Sequence, residues 1–185
     1  ESGTMLGAAL AAGLCSSGID VVTLGVVPTP TVSFAVRTGG FGLGAMISAS
    51  HNPAEDNGIK FFGSDGRKLC DEGEAHIEST LEDISGRPTG LGLGQIKSDS
   101  GVVSAYSEFL KSIVPGGLQG LKIAVDGANG SAFELAPRVL SDLGAEVHVM
   151  AAAPDGKNIN LDCGATRPNR IQEFTVRCGA DIGVA

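Results

Sequence analysis

The sequence predicts an α/β protein of two consecutive domains with mixed, mainly parallel sheets. Three observations carry this expectation. Short β-branched runs alternate with helical stretches along the chain, a Gly- and Ser-rich stretch interrupts the alternation near the middle, and a strand, turn, helix, strand order resumes after it.

Met5 to Ser16 places Leu6, Leu10 and Leu14 at helical spacing, with Gly18 where a cap would fall, and predicts a packed amphipathic helix. Asp20 to Val27 alternates as a strand, and Pro28-Thr29-Pro30 opens a second helix reaching about Thr38. Leu43 to Ile47 predicts a short buried strand. Ile59 to Phe62 and Arg67 to Leu69 flank Ser64-Asp65-Gly66 as a hairpin, and an acidic helix is expected from Asp71 to Ile84. Residues 85–100 hold Gly86, Pro88, Gly90, Gly92 and Gly94 without apolar periodicity, which sets the expected domain boundary there, giving domains 1–98 and 99–185. A helix from about Val102 to Ile113 follows. Leu121 to Val125, Gly127 to Gly130, Ala132 to Leu143 and Glu146 to Met150 then form a βαβ unit. A long polar loop spans Ala151 to Pro168, Arg170 to Cys178 is helical, and Asp181 to Ala185 starts a strand.

Composition narrows the function. Over 185 residues, 42% hydrophobic content and a mean hydropathy of +0.18 suffice for a packed core. A net charge of −8, 4% aromatics and no Trp argue against nucleic acid as a partner. No apolar run approaches the roughly 20 residues of a membrane span, and the first residues lack a signal pattern, so the expectation is a cytoplasmic protein with no membrane partner. Cys15, Cys70, Cys163 and Cys178 lack Cys-x-x-Cys spacing and read as reduced core cysteines. Nothing in the sequence fixes an oligomeric state.

The stretch Ser48-Ala49-Ser50-His51-Asn52-Pro53, followed by Asp56-Asn57-Gly58-Ile59-Lys60, joins two apolar runs through turn-forming residues. It presents the Ser50 hydroxyl at a strand end, with His51 beside it and the Lys60 amine ten positions on. Spacing alone does not separate a nucleophile from a turn serine beside a solvated histidine. Other motifs carry less. Gly39 to Gly44 precedes a strand where a dinucleotide loop would follow one, and Gly127 to Gly130 reads as a tight structural turn. Ser50 lacks the Gly-x-Ser-x-Gly elbow of a serine hydrolase. His148 and His76 read as solvated.

Ile47 to Lys60 resembles the phosphoserine loop of the α-D-phosphohexomutases. Glu1-Ser2-Gly3, Gly25 to Thr31 and Leu121 to Gly130 match further segments of that family in order. Pro154 to Asn160 with Cys163-Gly164-Ala165-Thr166 resembles its amino-sugar branch, and Arg167 stands where that branch usually carries histidine. The resemblance implies three-layer α/β/α domains and interconversion of 6-phospho and 1-phospho sugars, with glucosamine phosphates the expected substrates and hexose phosphates or simple phosphate binding the rivals. It implies Ser50 as phosphoryl carrier and magnesium ligand, His51 and Lys60 in proton transfer or charge stabilisation, Mg2+ as cofactor, and a small phosphosugar as partner. It also leads to the expectation that the chain by itself is incomplete and inactive, because no Asp-x-Asp-x-Asp run occurs in it.

Overall fold

The computed structural model describes residues 2–83 and 85–185. Glu1 and Ile84, which belong to the expected N-terminal motif and the expected end of the acidic helix, lie outside the described residues. The chain divides into two compact units. The first runs up to Ser48 and resumes from Gly58 to Val103; the second comprises Ala49–Asn57 and Ser104–Ala185.

In the first unit, α1 (Ser2–Ser16) leads into β1 (Val21–Thr23), α2 (Thr29–Gly39), β2 (Leu43–Ile47), β3 (Ile59–Gly63), α3 (Asp71–Ser79) and β4 (Ile96–Ser98). β1 pairs with β4 in parallel, and β2 pairs with β3 antiparallel, with Met46 opposite Lys60 and Ile47 opposite Ile59. Helix α2 has Pro30 in its first turn, where a missing N–H costs nothing, and ends on Gly40 at φ 70°. It buries Thr31, Val32, Ala35 and Val36 on one face. The face packs close to β2 because Gly44 has no side chain: a Cβ there would lie 2.5 Å from Val36 Cγ2. Val27, Val32, Met46 and Phe62 form the core, with Leu24 and Val103 against it. Truncating Phe62 to Ala would cost about 3–5 kcal/mol.

Several expected elements differ in extent. The strand expected over Asp20 to Val27 is confined to Val21–Thr23, the residues that find a partner; Gly25 at φ 73° ends the extended run, and Val27 turns into the core. Residues 85–100, expected to hold the domain boundary, contain β4 and a short 3₁₀ turn at Gly90–Gly92. The Arg67 to Leu69 return is a single bridge, Phe62 with Lys68, closed by Gly63 N–H to Arg67 O and Leu69 N–H to Phe61 O. Helix α1 fully buries only Ala11.

Helix α4 (Gly101–Ser112) begins in the first unit and continues in the second, followed by β5 (Lys122–Asp126), α5 (Leu135–Asp142), β6 (Glu146–Met150), α6 (Pro168–Cys178) and β7 (Ile182–Val184). The sheet order is β6-β5-β7, all parallel, so the central strand β5 buries Ile123, Ala124, Val125 and Asp126. Leu135 and Val139 of α5 and Ile171 of α6 are buried in this unit as well. Two side-chain expectations are corrected. His148 is half-buried, with Nε2 3.0 Å from Glu146 Oε1 two residues back on the same strand face, so it is paired and not merely solvated. Of the cysteines, all free, only Cys163 is buried; Cys70 is exposed, and Cys15 and Cys178 are half-buried.

Candidate active site

Ser48 N–H donates to Gly58 O at 2.8 Å, closing the β2–β3 ladder and forcing residues 49–57 out as a loop. Asn52 N–H bonds Ala49 O at 3.2 Å and Asp56 N–H bonds Pro53 O at 3.1 Å, two successive turns of the kind the Asn-Pro pair favours. The Asn52 carboxamide adds a bond to Asp56 Oδ2 at 3.0 Å.

Ser50 sits at the head of the first turn with φ 62°. That left-handed conformation costs a non-glycine residue about 1–2 kcal/mol, and such strain persists only where the surroundings over-determine it. Its exposed hydroxyl lies 3.5 Å from His51 Nδ1, a long contact that must shorten before a proton can be shared. Of the three residues singled out from the sequence, Ser50 and His51 therefore lie together in the second unit. Lys60 lies on β3 of the first unit, half-buried and opposite Met46.

The loop after β6 grows from the end of β5. Asp126, 5% exposed, accepts Ala128 N–H at 2.9 Å and Gly164 N–H at 2.6 Å. Ala128 and Asn129 then take φ 52° and 48°, and Gly130 N–H closes on Gly127 O at 2.8 Å, giving the tight turn expected there. Gly164, at φ 77°, must lack a side chain, since a Cβ would lie 2.8 Å from that of Ala128. Asn129 stitches the turn to the loop: Nδ2 donates to Asn158 O at 3.2 Å and Oδ1 accepts Ala153 N–H at 3.0 Å. Within the loop, Asp155 Oδ1 accepts the Lys157 and Asn158 amides, both at 2.8 Å, and these hydrogen bonds, led by that from Lys157, hold the Asp155 carboxyl below its ordinary pKa. Arg170 pairs with Asp162 Oδ2 at 2.5 Å at the far end. Burial pushes the neighbouring Cys163 thiol up, so it stays protonated and inert.

An open groove of about 400 Å³ runs between these two loops, lined among others by His51, Glu55, Lys157, Asn160 and Arg167, a mixed-charge surface suited to a small polar ligand. Asp126, Asn129 and Asn160 escape a reading that looks only for nucleophiles and bases. Their signal is conformational: Asn and Asp tolerate positive φ and bond nearby backbone.

An α/β scaffold that displays a left-handed serine next to a histidine on a turn-rich loop is suited to carrying a transferable group. Residues 1–87 match the family described as phosphoglucomutase/phosphomannomutase, alpha/beta/alpha domain I. Residues 1–87 belong to this α-D-phosphohexomutase family, and the whole chain is similar to proteins of it. It is 51% identical over 187 residues to a phosphoglucosamine mutase of Desulforamulus reducens, and likewise 51% identical to one of Ligilactobacillus salivarius. In both cases all of this chain is covered, against 42% of the relative. The chain thus spans about two-fifths of the length of these relatives. A solved phosphoglucomutase/phosphomannomutase family protein from Burkholderia thailandensis matches with TM-score 0.78 and 29% identity, covering 98% of this chain and 41% of that one.

Proposed function

We propose that the protein carrying this chain interconverts glucosamine 6-phosphate and glucosamine 1-phosphate, with Ser50 as its phosphoryl carrier. The observation that carries the reading is 51% identity over the entire chain to phosphoglucosamine mutases; the left-handed, exposed Ser50 in its turn-forming loop supports it. A phosphoryl group on Ser50 Oγ passes to a sugar hydroxyl: the new O–P bond forms as the Ser50 O–P bond breaks, and the hydroxyl proton leaves to a base. The bisphosphorylated sugar reorients and returns its other phosphate to Ser50, regenerating the enzyme. His51, within reach of Ser50 Oγ, is assigned to proton transfer, and Lys60 to charge stabilisation on the strength of its place in the motif.

Residues 1–98 and 99–185 are read as the family's first two domains. The substrate class is a small phosphosugar, with neither nucleic acid nor membrane as partner, in a cytoplasmic setting; among the described residues no helix is long and apolar enough to cross a membrane. Magnesium is the proposed cofactor, a hard ion that takes about six oxygen ligands. No three His, Cys, Asp or Glu gather to hold a metal among the described residues. Ser50 offers one oxygen, so the described residues do not make a magnesium site and no step is routed through the ion.

The test uses the full-length protein. Intact mass and phosphopeptide mapping should find phosphate on Ser50 and not Ser48. Turnover should be fastest with glucosamine phosphates and slower with glucose or mannose phosphates. Phosphate on Ser48, an active Ser50→Ala variant, or a preference for a hexose phosphate would each defeat the assignment it addresses.

A further inference from the structure

We propose that Asn160 is a positioning residue for the nucleophile loop, its carboxamide holding Ser50 in the left-handed conformation that presents the hydroxyl. The inference rests on the reading of Ser50 as phosphoryl carrier. Asn160 Nδ2 donates to Asn52 O at 2.9 Å and to Ser50 O at 3.3 Å. One amide nitrogen carries two protons, so it can serve both carbonyls at once. Those carbonyls bracket His51, and fixing them limits rotation of the two peptide units that follow Ser50 and precede Pro53.

Asn160 is itself anchored. Its N–H donates to Ala128 O at 2.9 Å, and Ala128 N–H is held by the buried Asp126 carboxylate. A continuous series of hydrogen bonds therefore runs from the end of β5 to the carbonyl of the nucleophile. The turns within residues 49–57 are joined at the surface by the Asn52–Asp56 bond, and Asn160 adds a hold from a distant part of the chain that helps over-determine the strained Ser50. Asparagine fits the position twice: it tolerates its own φ of 57°, and its amide supplies donors where aspartate would turn an oxygen toward two carbonyl oxygens.

The experiment is made in the full-length protein with Asn160→Gly, which keeps the left-handed backbone and deletes the carboxamide, and Asn160→Asp, which keeps the shape and deletes the donors. Both should lower kcat about 10- to 100-fold with KM within about threefold, as expected when a reacting group is misplaced by a fraction of an ångström to an ångström. Amide hydrogen exchange over residues 49–53 should accelerate while that of β5 is unchanged. Unchanged kcat, or unchanged exchange over residues 49–53, in a folded Asn160→Gly protein would overturn the proposal. If the unsubstituted protein shows neither turnover nor phosphate on Ser50, the mutase reading fails by itself. The hold on the loop is then decided by exchange alone: faster exchange in Asn160→Gly upholds it and unchanged exchange ends it.

Discussion

The loop of residues 49–57 and the loop of residues 153–164 belong to the same unit and are both polar, yet they are stabilised in different ways. The first carries Ser50, the proposed phosphoryl carrier, and holds itself with two turns and one exposed side-chain bond, Asn52 to Asp56. The second is laced to the end of β5 by Asp126 and Asn129 and held internally by Asp155 and Asn158. The Ser50 loop is the less self-sufficient of the two. A serine proposed to carry phosphate must stay exposed, which removes the burial that would fix it, and the proposed hold comes from Asn160, itself anchored through Ala128 to the buried Asp126.

The largest effect tests the chemistry outside both loops. If Lys60 stabilises charge as proposed, Lys60→Met in the full-length protein should slow turnover by about 10² to 10³ while leaving the fold intact, because the donor is lost and an unbranched stem is kept. Near-normal turnover with unchanged circular dichroism would reduce Lys60 to an ordinary strand residue.

A pair of substitutions then measures the contrast between the loops. Asp126→Ala leaves the Ala128 and Gly164 amides without their acceptor and should cost about 2–4 kcal/mol, read as a lower urea midpoint. Asn52→Ala removes only an exposed bond and should cost less than about 0.5 kcal/mol. Equal costs would erase the distinction. Thiol labelling refines it: exposed Cys70 should react fast, whereas Cys163, 2% exposed beside Gly164, should react only when the second loop opens, and sooner in Asp126→Ala.

The smallest effect is a pH dependence. Asp155 has its folded pKa held below 3.8, so the stability it adds is present above that value and is lost as pH falls through the depressed one. Exchange of the Lys157 and Asn158 amides, taken relative to their intrinsic rate at each pH, should accelerate below about pH 4, and Asp155→Asn should flatten that dependence. Acid-independent exchange in the unsubstituted protein would show that Asp155 does not hold the loop.

Much of the fold was legible in the sequence because its periodicities are strong. The apolar run at Leu43 to Ile47, the alternation at Glu146 to Met150, the Pro28-Thr29-Pro30 helix start and the βαβ order after Leu121 each reflect a local preference that tertiary packing reinforces. β4 was not legible, since a three-residue edge strand with Ile96 as its single apolar member has no alternation to read. Nor was the true length of β1, which depends on a partner some 75 residues away. His148 was misread because its partner Glu146 lies two positions away, a pairing that becomes visible only once the strand face is known.

By itself the sequence determined the α/β class, the turn-forming serine loop and its family, since these follow from residue types and short spacings. Tertiary structure alone decided that Asp126 would organise two loops, that Asn160 would meet the carbonyls of Ser50 and Asn52 from more than a hundred residues away, and that Ser50 would be held at positive φ. The physical reason is that a hydrogen bond requires its donor and acceptor to meet at about 3 Å, and local preferences encode turns but not which distant turn the folded chain brings alongside.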